Sequence, residues 1–248
     1  AIFSNFLKKS EFKQKFNEVI IHTGQHYDSI LSDVFFSELE IPSPKYNLEV
    51  GSHSTCHQIS LMIDKLEAII LKEKPDIILV YGDTNSSVSA SIVGSYLNIP
   101  VVHVEAGERI FRRKEVPEEI SRIITDNVSS LCLTSTKKAY SYLKREGMAD
   151  NRIAFVGDLM YDAFIIGKDK LHQMDTTSFD RLNLKSNSYN LATIHRPQNT
   201  NNINTLINLL DTLSKSDIPV FLPLHPRVRN ILNKHKYKPK GNLILGDP

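Results

Sequence analysis

The chain has 248 residues, 41% of them hydrophobic and 23% charged, with a formal net charge of +2. That length holds one large domain or two modest ones with an ample core, and so balanced a charge gives no general attraction to nucleic acid or to a membrane surface. No apolar run approaches the roughly 20 residues of a membrane span, and Cys56 and Cys132, far apart in sequence, suit a reduced, cytoplasmic setting better than a disulfide framework.

Short apolar runs alternate with amphipathic stretches along the whole chain. Val19-Ile20-Ile21, 77–81, 101–104, Leu131-Cys132-Leu133 and 153–156 are expected as buried strands, with helices over 58–72, 86–97 and 118–130 between them. Pro75 and Pro100 stand just ahead of strands, where a helix has already ended. Buried strands alternating with helices of this length imply βαβ units, a parallel sheet and an α/β fold. Beyond a polar stretch over 168–188 comes a second series: a strand over 190–194, a helix over 202–213, a strand over 220–224, a short helix, and a strand over 243–245. The expected organisation is two Rossmann-like domains, 1–166 without its first strand and 167–248 incomplete. The chain starts without Met and stops at Gly246-Asp247-Pro248, so both ends read as cut.

The residues just past each strand are more informative. Thr23-Gly24-Gln25-His26, Gly82-Asp83-Thr84, Glu105-Ala106-Gly107, Gly157-Asp158, His195-Arg196 and His225-Pro226-Arg227 each come directly after an expected strand or its last apolar residues. In open parallel sheets ligands bind outside the carboxyl ends of the strands, so these positions are expected to line one crevice. Asp83 and Glu105 are one strand–helix–strand step apart, which places them at neighbouring strand ends. Two nearby carboxylates there can diverge in pKa, one an acid and the other a base. Asp83 has a competing role as the N-cap of the next helix; Glu105, ahead of Ala-Gly, has none.

The run Glu108 to Glu119 carries four basic residues, Arg109, Arg112, Arg113 and Lys114, and enters a helix at Pro117. Flanking acids and the lack of an aromatic series argue against nucleic acid, leaving a flap over an anionic ligand or a solvated loop. His195 opens the first loop of the second domain, where it could bind phosphate, move a proton, or serve structure alone. His53, Cys56 and His57 fall on one helix face but lack a fourth ligand, so no metal is expected. There is neither a P-loop nor a G-x-G-x-x-G, so ATP hydrolysis and ordinary NAD binding lack support.

Taken together, Thr23-Gly24-Gln25-His26-Tyr27-Asp28, Val80-Tyr81-Gly82-Asp83-Thr84-Asn85-Ser86, His103-Val104-Glu105-Ala106-Gly107, Val116-Pro117-Glu118-Glu119-Ile120-Ser121-Arg122, Gly157-Asp158-Leu159-Met160-Tyr161-Asp162 and Thr193-Ile194-His195-Arg196-Pro197-Gln198-Asn199 resemble, in order and spacing, the non-hydrolysing UDP-N-acetylglucosamine 2-epimerases. The resemblance implies a GT-B-like fold, two Rossmann-like domains with the UDP-sugar in the cleft between them, the second binding the nucleotide. It implies interconversion of UDP-GlcNAc and UDP-ManNAc by elimination and re-addition of UDP, supplying ManNAc-type sugars for surface polysaccharide. No cofactor and no metal are implied, and a cytoplasmic homodimer is. Carried over by motif, Asp83, Glu105, Glu118 and His195 resemble the catalytic groups, and Gln25, His26, Arg109, Arg196 and His225 the substrate-binding ones. Asp83, Glu105, Glu118 and His195 are then expected to converge on the cleft, with Gln25 and His225 at its rim.

The sequence departs from the family in several places. The family's opening strand and Gly-Thr-Arg-Pro-Glu-like loop lie before Ala1, and its Asp-Ser-Gly-Gly and Glu-Glu segment lies beyond Pro248, so the residues present hold the acid/base side and lack much of the UDP clamp. Gln25, Arg196 and His225 match parts of a regulatory UDP-GlcNAc site found in some branches, but Asp28 stands where that pattern prefers glutamine. The Glu108 to Lys114 loop differs from the common Leu-Arg-Ser form, which leaves room for a modified UDP-GlcNAc derivative. A hydrolysing epimerase and a GT-B glycosyltransferase are the remaining alternatives.

Overall fold

The computed structural model describes residues 2–8, 12, 15–25, 36, 41–112, 116–171, 182, 184–194 and 196–246. The chain folds as two compact units, Ala1–Asp169 and Lys170–Pro248.

In the first unit, β1 (Ile21–His22) pairs in parallel with β2 (Tyr46–Asn47), and β3 (Ile78–Tyr81), β4 (Val101–Ala106), β5 (Leu131–Thr134) and β6 (Ile153–Phe155) form a four-stranded sheet in that order. Every pairing described in this unit is parallel. The helices are α1 (Ile2–Leu7), α2 (Thr55–Glu73), α3 (Asn85–Tyr96), α4 (Glu118–Val128), α5 (Lys137–Arg145) and α6 (Leu159–Leu171). α2 buries Gln58, Met62, Leu66 and Ile70, one residue per turn, and this stripe packs with Leu48, Val50 and Val93. It ends where Lys74 turns left-handed and its N–H donates to the Ile70 carbonyl. α3 lies close on the sheet because Gly94 has no side chain; a Cβ there would stand 2.7 Å from Val101 Cγ2.

α4 is the exception to apolar patterning. Its buried residues are Glu119, Ser121, Thr125 and Asp126, while Ile120 is 48% exposed. Burying a charge is tolerated only when it is hydrogen-bonded or ion-paired; Glu119 and Asp126 are so held, by groups at the candidate site, while the buried Thr125 hydroxyl has no partner among the described residues.

In the second unit, β7 (Asn190–Leu191), β8 (Val220–Pro223) and β9 (Leu243–Gly246) form a parallel sheet, accompanied by α7 (Pro197–Thr200), α8 (Ile203–Leu213) and α9 (Pro226–Lys234). Leu206, Leu210, Val220, Leu222, Val228, Leu232 and Leu243 make its core. The expected α/β class with parallel sheets is what the chain adopts. Two expected strands are corrected in extent. The strand expected over 19–21 is Ile21–His22, and that expected over 190–194 pairs only at Asn190–Leu191, although the Ala192 N–H still donates to the Phe221 carbonyl at 2.9 Å. β2, between Pro44 and Leu48, was not expected at all.

Candidate functional site

β4 sets the geometry. Val101 to Val104 are all buried, and a regular strand would continue the pleat. Instead Glu105 adopts φ of +69° and the register against β5 skips it, Val104 facing Leu133 and Ala106 facing Thr134. This bulge returns Ala106 to the core, 0% exposed, and releases Glu105 from the ladder at the carboxyl end of the strand. A left-handed backbone costs an L-residue roughly 1–2 kcal/mol, and such strain gathers at functional positions. At the end of neighbouring β3, Gly82 turns with φ of +63°, and a Cβ there would meet Glu105 Oε2 at 3.6 Å. The Glu105 carboxylate therefore lies over the Gly82-Asp83 turn.

Asp83 does not cap α3. Thr84 is the N-cap, its hydroxyl accepting the Ser87 N–H at 3.2 Å, so that alternative is set aside. The Asp83 carboxylate is instead ion-paired with the Arg122 guanidinium from α4, whose other arm reaches Glu119 at 3.3 Å. Partial burial raises the pKa of Glu105 above 4.5, helped by the charges of Asp83, Asp158 and Glu108 and opposed by Arg122. Glu118, the first residue of α4, is exposed and sits one turn before Arg122, on the same helix face. Thus Asp83 and Glu105 stand at adjacent strand ends, and α4 brings Arg122 onto Asp83.

Glu119 shapes the loop between them. Its carboxylate accepts the Ile110 and Phe111 N–H groups, each at 3.0 Å. Burial works against the charge of Glu119, but these two N–H groups and Arg122 outweigh it and hold its pKa below the ordinary value. Behind the loop Arg109 turns inward, only 1% of its side chain exposed, with ion pairs of 2.7 Å to Asp126 and to Glu146. Burial pulls the Arg109 pKa down; the Glu146 and Asp126 partners pull it further up, so the charge is kept. Arg109, expected at the substrate, has its guanidinium placed as a strut between two carboxylates. Glu108 is likewise tied, accepting from Ser135 at 2.9 Å and Thr136 at 3.2 Å. The flap expected over 108–114 reaches residues 113 and 114, which lie outside the described residues.

Gln25 comes after β1 and directs its side-chain carbonyl at α3, where it accepts from Ser86 N at 3.2 Å and Ser86 Oγ at 3.0 Å. It holds the start of the helix next to Asp83. His26 and His195 lie outside the described residues. Arg196 and His225 belong to the second unit. Arg196 is exposed, and its carbonyl accepts from the Thr200 hydroxyl at 3.1 Å. His225 is the N-cap of α9, its Nδ1 accepting the Arg227 N–H at 3.2 Å, which makes Nε2 the protonated, donating nitrogen. Beside it, past the ends of β8 and β9, a depression of about 240 Å³ is lined by Leu224, Arg229, Asn233, Leu245 and Gly246.

Among the described residues no group of three or more His, Cys, Asp or Glu is placed to hold a metal, and no described helix is long and apolar enough to cross a membrane. Sequence reasoning missed Arg122 as the partner of Asp83, and missed Asp126. The available signal was their spacing: Glu118, Arg122 and Asp126 recur every four residues.

A family profile described as UDP-N-acetylglucosamine 2-epimerase matches residues 8–248. A Methanococcus maripaludis UDP-N-acetylglucosamine 2-epimerase homolog is 45% identical over 242 residues, 96% of this chain and 67% of that protein. A Pseudomonas aeruginosa UDP-2,3-diacetamido-2,3-dideoxy-D-glucuronate 2-epimerase is 38% identical, over 90% of this chain and 62% of its own. Among solved structures, Methanocaldococcus jannaschii UDP-GlcNAc 2-epimerase, crystallised in complex with UDP-GlcNAc and UDP, superposes with a TM-score of 0.85 at 34% identity, covering 99% of this chain and 68% of that one. The chain thus spans about two thirds of the length of these relatives.

Proposed function

Because this chain belongs to the UDP-N-acetylglucosamine 2-epimerase family, an isomerase family, we propose that the full-length protein inverts C2 of UDP-GlcNAc to give UDP-ManNAc without hydrolysis. The C2 hydrogen is not acidic, so direct deprotonation is a poor route. In the proposed path the C1–O bond breaks, its electron pair leaves with UDP, and a carboxylate takes the C2 proton to give 2-acetamidoglucal. A carboxylic acid then returns a proton to the other face of C2 as the UDP oxygen re-forms the bond to C1.

One observation supports this reading above the others. Two carboxyl groups stand at the ends of adjacent strands: Asp83, ion-paired with Arg122, and Glu105, lifted out of the ladder by the bulge and raised in pKa by its burial. A pair of carboxyl groups so placed, in different surroundings, is what a base and an acid need. We assign Asp83 as base and Glu105 as acid in one direction, their roles exchanging in reverse, with Glu118 supporting the sugar side. His195 is assigned to the departing diphosphate, with His26, Gln25, Arg196 and His225 toward the substrate. The second unit, 167–248 by sequence, is assigned to the nucleotide, and the depression beside Arg229 lies at the strand ends where such a ligand sits in α/β folds. The homodimer, the cytoplasmic setting and a supply of ManNAc-type sugars for surface polysaccharide belong to the same reading; light scattering on the purified protein tests the first.

The test is kinetic. In the full-length protein Asp83→Asn, Glu105→Gln and Glu118→Gln should each lower kcat by about 10²-fold or more, the low end for lost acid/base participation, while UDP affinity changes far less. Near-parental turnover in Glu105→Gln would remove it from the mechanism. A second reading, a modified UDP-GlcNAc derivative as substrate, is favoured by the Pseudomonas relative's 2,3-diacetamido-glucuronate specificity and by the Glu108 to Lys114 loop. Comparing kcat/KM for that sugar nucleotide and UDP-GlcNAc decides between them.

A further inference from the structure

His103 is 0% exposed, in the middle of β4, and nothing in the proposed reaction uses it. Both of its ring nitrogens are engaged. Nε2–H donates to the Gly82 carbonyl at 2.8 Å, and Nδ1 lies 2.7 Å from Asp126 Oδ1. Asp126, also without exposed side-chain surface, accepts the Gly107 N–H at 3.2 Å and pairs with Arg109 at 2.7 Å. The two residues of β4 and its turn that Asp126 grips, His103 and Gly107, flank Glu105 at two positions on either side. The carbonyl that His103 grips belongs to the residue before Asp83. One turn earlier on α4, Arg122 grips Asp83 itself.

We propose that His103 is a positioning residue: braced by Asp126, it ties the Gly82 carbonyl to β4 and thereby fixes the spacing between Asp83 and the left-handed Glu105. An interstrand hydrogen bond from the Gly82 N–H to the Val104 carbonyl, 3.0 Å long, aligns the same two strand ends but cannot set the tilt of the Gly82-Asp83 peptide. The His103 ring, reaching the other side of that residue, does. Without it the Gly82 carbonyl loses its buried donor and the turn can rotate, moving Asp83 relative to Glu105, and small misplacements of acid/base groups are costly in rate. This inference rests on the epimerase reading and adds a residue that touches neither sugar nor nucleotide.

Two substitutions at one position separate the roles of the two nitrogens. Gln places an amide N–H near the position of Nε2; Asn places its amide near Nδ1 and leaves the Gly82 carbonyl unpaired. In the full-length protein, assayed with UDP-GlcNAc well below the melting temperature, His103→Asn should lower kcat at least 10-fold with KM and UDP affinity within about threefold. His103→Gln should recover kcat to within about fivefold of the parent. A nearby core trim, Ile153→Val, serves as the control for lost stability and should leave kcat unchanged. If His103→Asn does not fold, Asp126→Asn carries the test, with the same split between kcat and KM expected. Parental kcat in a folded His103→Asn or Asp126→Asn overturns the proposal, as does equal loss in the Asn and Gln variants. If Glu105→Gln is inactive while His103→Asn is normal, only this inference fails. A parent that does not turn over UDP-GlcNAc sinks the functional reading, and this inference with it.

Discussion

Replacing Glu105 by Gly and by Ala separates the cost of its backbone from the value of its side chain. Glu105 holds φ of +69°, a conformation that costs an L-residue roughly 1–2 kcal/mol and glycine almost nothing. Glycine also gives the unfolded chain more freedom, an opposing term of about 0.4–1 kcal/mol. Both variants lack the carboxylate, so its repulsion with Asp83, Asp158 and Glu108 drops out of the comparison. The Gly variant should therefore be the more stable of the two by about 1 kcal/mol, near 2–4 °C in melting temperature for a domain of this size. Both should lose about 10²-fold or more in kcat. Calorimetry of the two proteins under one buffer, with UDP-ManNAc formation followed in parallel, makes the comparison. An Ala variant as stable as the Gly variant would show that the bulge is unstrained, and the claim that stability is given up here for function would fall.

The pKa of Glu105 is raised in the folded protein, so what its protonated form contributes to stability is present at acid pH and lost as pH rises through the folded value. Glu105→Gln should accordingly stabilise the protein at neutral pH, and the gain over the parent should shrink toward pH 4.5 in a series of denaturant titrations. Arg109→Met strips a buried Asp126 of its nearest cation and should cost about 3 kcal/mol in the same titrations; a variant of normal stability with weakened substrate binding would instead restore Arg109 to the ligand. Burial and the Asp126 charge push the Cys132 thiol up to about 12, whereas Cys56 is exposed, so native protein should take up one maleimide among these two thiols by mass spectrometry at pH 7.5. Thr84→Ala removes the α3 cap and should cost about 1 kcal/mol, while Asp83→Asn, which touches no cap, should lose activity with a smaller change in melting temperature.

The parallel strands and their polar ends were legible because parallel βαβ units bury continuous apolar runs and leave polar residues to the loops that follow them. Asp83 and Glu105 were found that way. The competing reading of Asp83 as a cap failed because Thr84, one residue later, has the extended backbone that a cap requires. α4 was harder to read. Its isoleucines at 120, 123 and 124 suggest an apolar face turned inward, yet the buried groups are Glu119, Ser121, Thr125 and Asp126, because Arg109, His103 and two loop N–H groups from outside the helix, with Arg122 within it, supply partners to the two carboxylates. The ion pairs of Arg109 were illegible for the same reason. A basic residue in a loop looks available until the carboxylates that neutralise it, Asp126 and Glu146, are brought in from 17 and 37 residues away. The short strand β2 owes its place to its neighbour β1 rather than to any local pattern.

In the proposed reaction the full-length protein interconverts C2 epimers through elimination and re-addition of UDP. Incubating it with UDP-GlcNAc in deuterated water and monitoring the proton NMR spectrum tests this directly. UDP-ManNAc should accumulate with deuterium at C2, total nucleotide sugar should be conserved, and Glu105→Gln should suppress both conversion and exchange. Free ManNAc with stoichiometric UDP, or UDP-ManNAc that retains the original C2 proton throughout, would contradict it.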